Sequence, residues 1–204
     1  HIEKTNRWEI LPIDRNSLGP AIRQPLKDTI GTVVLWRRLD RILGFKHPYG
    51  ENARKRLSQM CRDLEIHLAM VFHRFLSGGV VRKKMRVLVN GNEVKPWDAF
   101  CLSEIKTKKL QPVRLQVEHE GVRGEVLLQP FILPHQEDFS SPDAFRQATG
   151  PANWNQQQGF YIYRADRMIQ SGGWSNLRAA DEHTKLARVA VSFSPILDEA
   201  FKIN

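Results

Sequence analysis

Cysteine is scarce in this chain of 204 residues, with only Cys61 and Cys101, far apart and in unlike contexts. Neither belongs to a C-x-x-C or C-x-x-H spacing, which argues against zinc. Both read as reduced, buried thiols of a reducing compartment. No apolar run approaches membrane-spanning length and no signal peptide is present, so a cytoplasmic protein is expected. There is no G-x-S-x-G, no Walker loop, no G-x-G-x-x-G and no paired His/Cys cluster. His67 and His73 are six residues apart, whereas two metal ligands on one helix face need an i, i+4 pair. Carboxylates are scattered; Asp181-Glu182 and Asp198-Glu199 read as surface residues. No repeat or low-complexity block breaks the chain.

What is present is an ordinary globular composition with a basic excess. Hydrophobic residues make up 41% and charged residues 26%, enough apolar content for a core. The net charge is +9, which permits a phosphate or nucleic-acid partner without requiring one. The chain opens at His1 without an initiator Met, already strand-like, and reads as a piece of a longer protein.

The order of elements predicts an α+β fold, one sheet with helices on one face. Asn6–Ile13 reads as a short strand ended by Pro12. Gly31–Trp36 is continuously apolar, the pattern of a buried strand. Gly44–Gly50, with Pro48, is the expected linker, giving domains at 1–44 and 45–204. Glu51–Leu76 is the strongest helix: Leu57, Cys61, Leu64, Leu68, Val71 and Phe75 recur at three- and four-residue steps. At about 1.5 Å per residue it spans roughly 39 Å. Asn52 is placed to cap it and Gly78-Gly79 to stop it. Arg82–Val89 reads as a strand leading to the Asn90-Gly91 hairpin turn. Pro112–Glu118 and Gly124–Leu133 form a second hairpin. Ser140–Asp143 starts a helix that Gly150-Pro151 ends. Gln156–Gln158 reads as loop. A last helix starts at Pro195 behind Ser194 and is expected to run on past Asn204.

The stretch Gly159–Phe193 holds the candidate site. Phe160–Arg164 turns at Ala165-Asp166 and returns through Arg167–Ser171 to Gly172-Gly173. A polar loop follows, with Asn176, Arg178, Asp181, Glu182, His183, Thr184 and Lys185, and then the alternating strand Arg188–Phe193. One lysine at the end of such a loop can stabilise charge on a terminal phosphate, which is most of what phosphoryl transfer asks of a protein. Two basic clusters, Arg82-Lys83-Lys84 with Arg86, and Lys106, Lys108 and Lys109, are candidate phosphate or nucleic-acid contacts or solvated loops.

Taken together, several stretches resemble the GHKL ATPases, the gyrase, chaperone, histidine-kinase and mismatch-repair group, with a microrchidia-like or uncharacterised prokaryotic flavour. Gly31-Thr32-Val33-Val34 with Trp36 and Leu39-Asp40 is similar to the last strand of their nucleotide-binding domain. His67-Leu68-Ala69, Phe72–Phe75 and Val89-Asn90-Gly91 resemble the start of their transducer domain. Gly159–Arg164, Arg167-Met168-Ile169 and Gly172-Gly173-Trp174 look like its hairpin. The resemblance implies a transducer domain like the second domain of ribosomal small-subunit protein five, behind a remnant of the ATPase sheet. It also implies a left-handed βαβ crossover, an exception to the usual hand. Lys185 matches the lysine that touches the ATP γ-phosphate, and Thr32 matches the threonine that helps bind adenine. ATP and magnesium belong to the full-length protein. The Asn helix, the Asp-x-Gly-x-Gly motif and the Gly-rich lid are absent from this sequence, so neither ligand is expected in this chain alone. The implied partners are an upstream nucleotide-binding domain and a second copy of the parent, with DNA possible and no membrane. A basic nucleic-acid-binding module and a protein-interaction scaffold are the competing readings.

Overall fold

The computed structural model describes residues 14, 17–27, 30–36, 44, 47, 49–79, 85–151 and 153–203. The expected strand Asn6–Ile13 and the basic residues Arg82, Lys83 and Lys84 lie outside them. The chain divides into two compact units, His1–Arg54 and Lys55–Asn204.

In the first unit, Gly19 and Pro20 start a short helix, α1 (Pro20–Arg23), which tightens into a 3-10 turn at Gln24–Leu26. Gly31–Trp36 corrects an expectation. It has no regular structure, and Val34 and Trp36 are 73% and 72% exposed. An apolar run becomes a buried strand only where a neighbouring strand completes its ladder, and no described residue does so here.

The long helix is α2 (Glu51–Val71). It starts one residue before Asn52, so Asn52 lies inside the first turn and does not cap it. Phe72 leaves the helical region (φ −107°, ψ 16°), and the chain resumes as α3 (His73–Ser77), closed by Gly78 at φ 80°. The apolar stripe divides along its length. Leu57 and Leu64 stay about half exposed, while Leu68, Val71, Phe72 and Leu76 turn inward. Leu76 packs with Val89, in the small hairpin of β1 (Leu88–Val89) and β2 (Asn92–Glu93), and with Val94 just after it. Among the described residues of the expected strand over 82–89, those at 85–89, the ladder takes in Leu88–Val89.

The main sheet is mixed, with every pairing antiparallel except one. Its strands are β3 (Lys108–Lys109), β4 (Val113–His119), β5 (Val122–Ile132), β6 (Gly159–Arg164), β7 (Arg167–Ser171) and β8 (Ala187–Phe193). The order is β3-β5-β8-β6-β7, with β4 sharing an edge of β5, and β6 runs parallel to β8. Three hairpins turn on paired positive-φ residues: Asn90-Gly91, Glu120-Gly121 and Ala165-Asp166. This turn matches the right-handed twist of the strands it joins.

Alternation assigns the two faces. Cross-strand partners place Phe131, Arg188, Ala190, Tyr161 and Tyr163 on one face. There they meet Met70, Trp97 and Phe100. The other face carries Val126, Val191, Phe193 and Ile162 under Leu197 and Ala200. Leu197 ends a 3-10 turn and Ala200 sits in α6 (Asp198–Phe201). Helical cover therefore lies on both faces, not one. Arg164 on β6 forks onto both carboxylate oxygens of Asp198 and ties this last turn down, its Nε 2.6 Å from Oδ1. Between the strands, Ser141 caps α4 (Pro142–Thr149) by accepting from the Ala144 N–H at 3.1 Å. Asn153 does the same for α5 (Trp154–Gln157).

Gly159 is where the main sheet meets the polar loop most closely. Its φ is +109°, and a Cβ there would stand 2.2 Å from the carbonyl oxygen of Gly173. That carbonyl accepts the Phe160 N–H at 2.8 Å. Gly159→Ala combines a disfavoured backbone with a collision against main chain, and should destabilise the fold by about 3 kcal/mol or more in denaturant unfolding.

Candidate functional site

Gln158 is fully buried, and its side-chain amide is fully used. Its nitrogen donates to the Asn155 and Asp181 carbonyls at 2.9 and 3.0 Å. Its oxygen accepts from Trp174 Nε1 at 3.0 Å, the Asp181 N–H at 3.1 Å and the Thr184 hydroxyl at 2.6 Å. One side chain thus closes the loop that begins at Gly172 and ends at Lys185. Gln157, also buried, lies 2.8 Å from the Tyr161 hydroxyl through its side-chain oxygen. The glutamine run expected as plain loop is instead the hinge post of the site. Composition alone does not separate a buried amide from a solvated one; the burial follows from the β6–β8 pairing.

The loop ends in a single 3-10 turn, Glu182–Thr184, capped by the Asp181 carboxylate accepting from the His183 N–H at 2.8 Å. Lys185 follows directly, and its ammonium pairs with Glu182 three residues back. The hydrogen bonds from Lys185, and then from Asn155, hold the Glu182 carboxyl below its usual range. Lys185 and Glu182 line a cleft of about 950 Å³ with Trp154, Phe145, Phe139 and Asn153. Phe145 and Trp154 stack at 5.0 Å, and Phe139 meets both edge-on. An exposed ion pair of this kind is weak, screened by water and salt, so an arriving dianion can take Lys185 from Glu182.

Behind the cleft, Arg188 is completely buried. It donates to the Ala99 carbonyl and, at 3.1 Å, to the Ala148 carbonyl. The rings of Trp97, Trp154 and Tyr161 surround it, with centroids 5.3–5.7 Å from its guanidinium carbon. Its Nε and the Trp154 Nε1 are left without a partner. The adjoining Cys101 thiol is pushed up to about 11 by burial, which leaves it unreactive. Cys61 is half-buried, and both cysteines are free.

On the same sheet face, His73 Nε2 lies 2.8 Å from the Tyr163 hydroxyl. Burial, and then the Arg74 charge, lowers the His73 pKa to about 4, so the imidazole is neutral at pH 7. Burial also raises the Tyr163 phenol. His67, by contrast, is exposed.

The remaining expected residues do not gather. Thr32 is exposed in the first unit, outside any strand. Lys106 reaches Asp138 at 3.9 Å. Lys108 and Lys109 are adjacent on β3 and so point to opposite faces. No described group of three or more His, Cys, Asp or Glu is placed to hold a metal ion. No described helix is long and apolar enough to cross a membrane.

Comparison with known proteins finds no matching family model, no matching curated protein and no matching solved structure.

Two outcomes follow from this geometry. Gln158→Ala strands the Trp174 Nε1–H and Asp181 N–H donors and should cost about 2–4 kcal/mol, with faster hydrogen exchange concentrated at 174–185. For His73, the native state resists a proton that the unfolded chain accepts near pH 6.5. Its contribution is therefore complete above that pH and lost as the pH falls towards 4, on the order of 3 kcal/mol in all. His73→Phe should flatten that part of the stability–pH curve.

Proposed function

We propose that the second unit is the transducer of a GHKL-type ATPase, of the kind that resembles the second domain of ribosomal small-subunit protein five. The first unit would then carry the end of the nucleotide-binding sheet. One observation carries the reading. Lys185 lines a cleft of about 950 Å³, on a turn held by a buried amide, and its partner among the described residues is a surface carboxylate. A sensor of the γ-phosphate needs that combination: a fixed backbone, so that the ammonium arrives in place, and a weak resting contact, so that it can leave. The exposed apolar run Ile30–Trp36 supports the same reading, as a surface that a neighbouring strand would cover.

The fit to ATP and magnesium is uneven. The described residues supply a cation for a phosphate but no cluster of three or more His, Cys, Asp or Glu for magnesium. What this chain contributes is electrostatic. Lys185 exchanges Glu182 for a terminal phosphate, and because its turn is hydrogen-bonded to Gln158, its movement is transmitted to β6 and β8. In the full-length protein that shift would couple nucleotide binding in an upstream domain to closure of a dimer.

The test is ATP hydrolysis by the full-length protein, wild type against Lys185→Ala, with nucleotide affinity measured alongside. The expected result is a fall of a hundredfold or more in turnover, about 2.7 kcal/mol at the barrier, with affinity little changed. Unchanged turnover would leave Lys185 a surface lysine and overturn the reading.

A further inference from the structure

Between α3 and the segment Pro96–Leu102, the β5–β8 part of the sheet is open. The groove there holds about 640 Å³, within the range of small-molecule pockets, about 300–1,000 Å³. Its floor is mostly apolar, with Leu127, Phe131 and Ala190 beside Gln129 and Ser192; Phe100 is buried against it and Leu102 stands exposed at its edge.

Four charged side chains line it, and three are already committed. The Asp98 carboxylate accepts the Phe100 and Leu102 N–H groups at 2.9 and 2.5 Å. Asp166 accepts from Arg74 at 2.8 Å, and Arg74 also donates to Ser192 Oγ at 3.1 Å and lies 3.5 Å over the Tyr163 ring. His73 is neutral and directed to Tyr163. Among the described residues, Lys109 has neither an ion pair nor a side-chain hydrogen bond. Its register with Phe131 places it on the face that floors the groove.

An apolar floor with one uncommitted cation selects a particular ligand. A neutral apolar molecule would leave Lys109 unused, and a phosphate or dicarboxylate would bring extra charge towards Asp98 and Asp166. We propose that this groove binds a small organic monoanion, an aromatic or branched carboxylate. Its apolar body rests on Leu127 and Phe131 against Leu102, and its carboxylate meets Lys109. The proposal does not depend on the role of Lys185.

The test uses the full chain, isotope-labelled, titrated with millimolar phenylacetate and, separately, with its neutral amide, phenylacetamide. Phenylacetate should shift the amide resonances of 127–131 and 190–192. Lys109→Met, an exposed substitution on a two-residue edge strand, should weaken phenylacetate by about tenfold and leave phenylacetamide unchanged. Absence of shifts, shifts centred elsewhere, or equal phenylacetate affinity in the two proteins would overturn the proposal.

Discussion

The amide of Gln158 makes five hydrogen bonds inside the protein, to Asn155, Trp174, Asp181 and Thr184. A buried amide that is fully satisfied is strong and directional, whereas the same group half-satisfied would be a liability. This one sits just before the first residue of β6. It fixes where the polar loop returns, and hence where β8 can enter beside β6. The close approach of Gly159 to Gly173 is the backbone side of the same junction. Lys185 inherits its position from both.

Much of the local structure could be read in the chain. The Asn90-Gly91 and Ala165-Asp166 turns, the Ser141 cap and the Phe160–Arg164 hairpin are set by neighbours a few residues away, and their residue types carry the geometry. The parts that escaped the reading depend on distant partners. His73 and Tyr163 are separated by 90 residues, and Arg188 reaches back to Ala99 and Ala148. The burial of Gln157 and Gln158 follows from the parallel β6–β8 pair, which no periodicity announces. Gly31–Trp36 shows the converse: it is apolar, but no described residue pairs with it, and it forms no strand.

The cleft at Lys185 and the groove at Lys109 share a design. In each, a lysine is placed by secondary structure beside an aromatic surface, and the acids nearby are held by other hydrogen bonds or by weak surface pairing. In the cleft the lysine is lightly held by Glu182; in the groove it has no ion pair or side-chain hydrogen bond among the described residues. The difference fits the two proposed roles, a cation that changes partners at the cleft and a cation that receives a ligand at the groove. Arg188 lies behind the cleft and carries its charge without a carboxylate. Two carbonyls and three rings hold it, while the buried Glu104 carboxylate nearby is taken by the Ser140 N–H and hydroxyl.

The most direct measurement is a structure of the full-length protein with a non-hydrolysable ATP analogue. The account predicts that the Lys185 ammonium has left Glu182 and lies about 2.7–3.1 Å from a γ-phosphate oxygen, with the Gln158 hydrogen bonds intact. A γ-phosphate held entirely by other residues, with Lys185 still paired to Glu182, would contradict it.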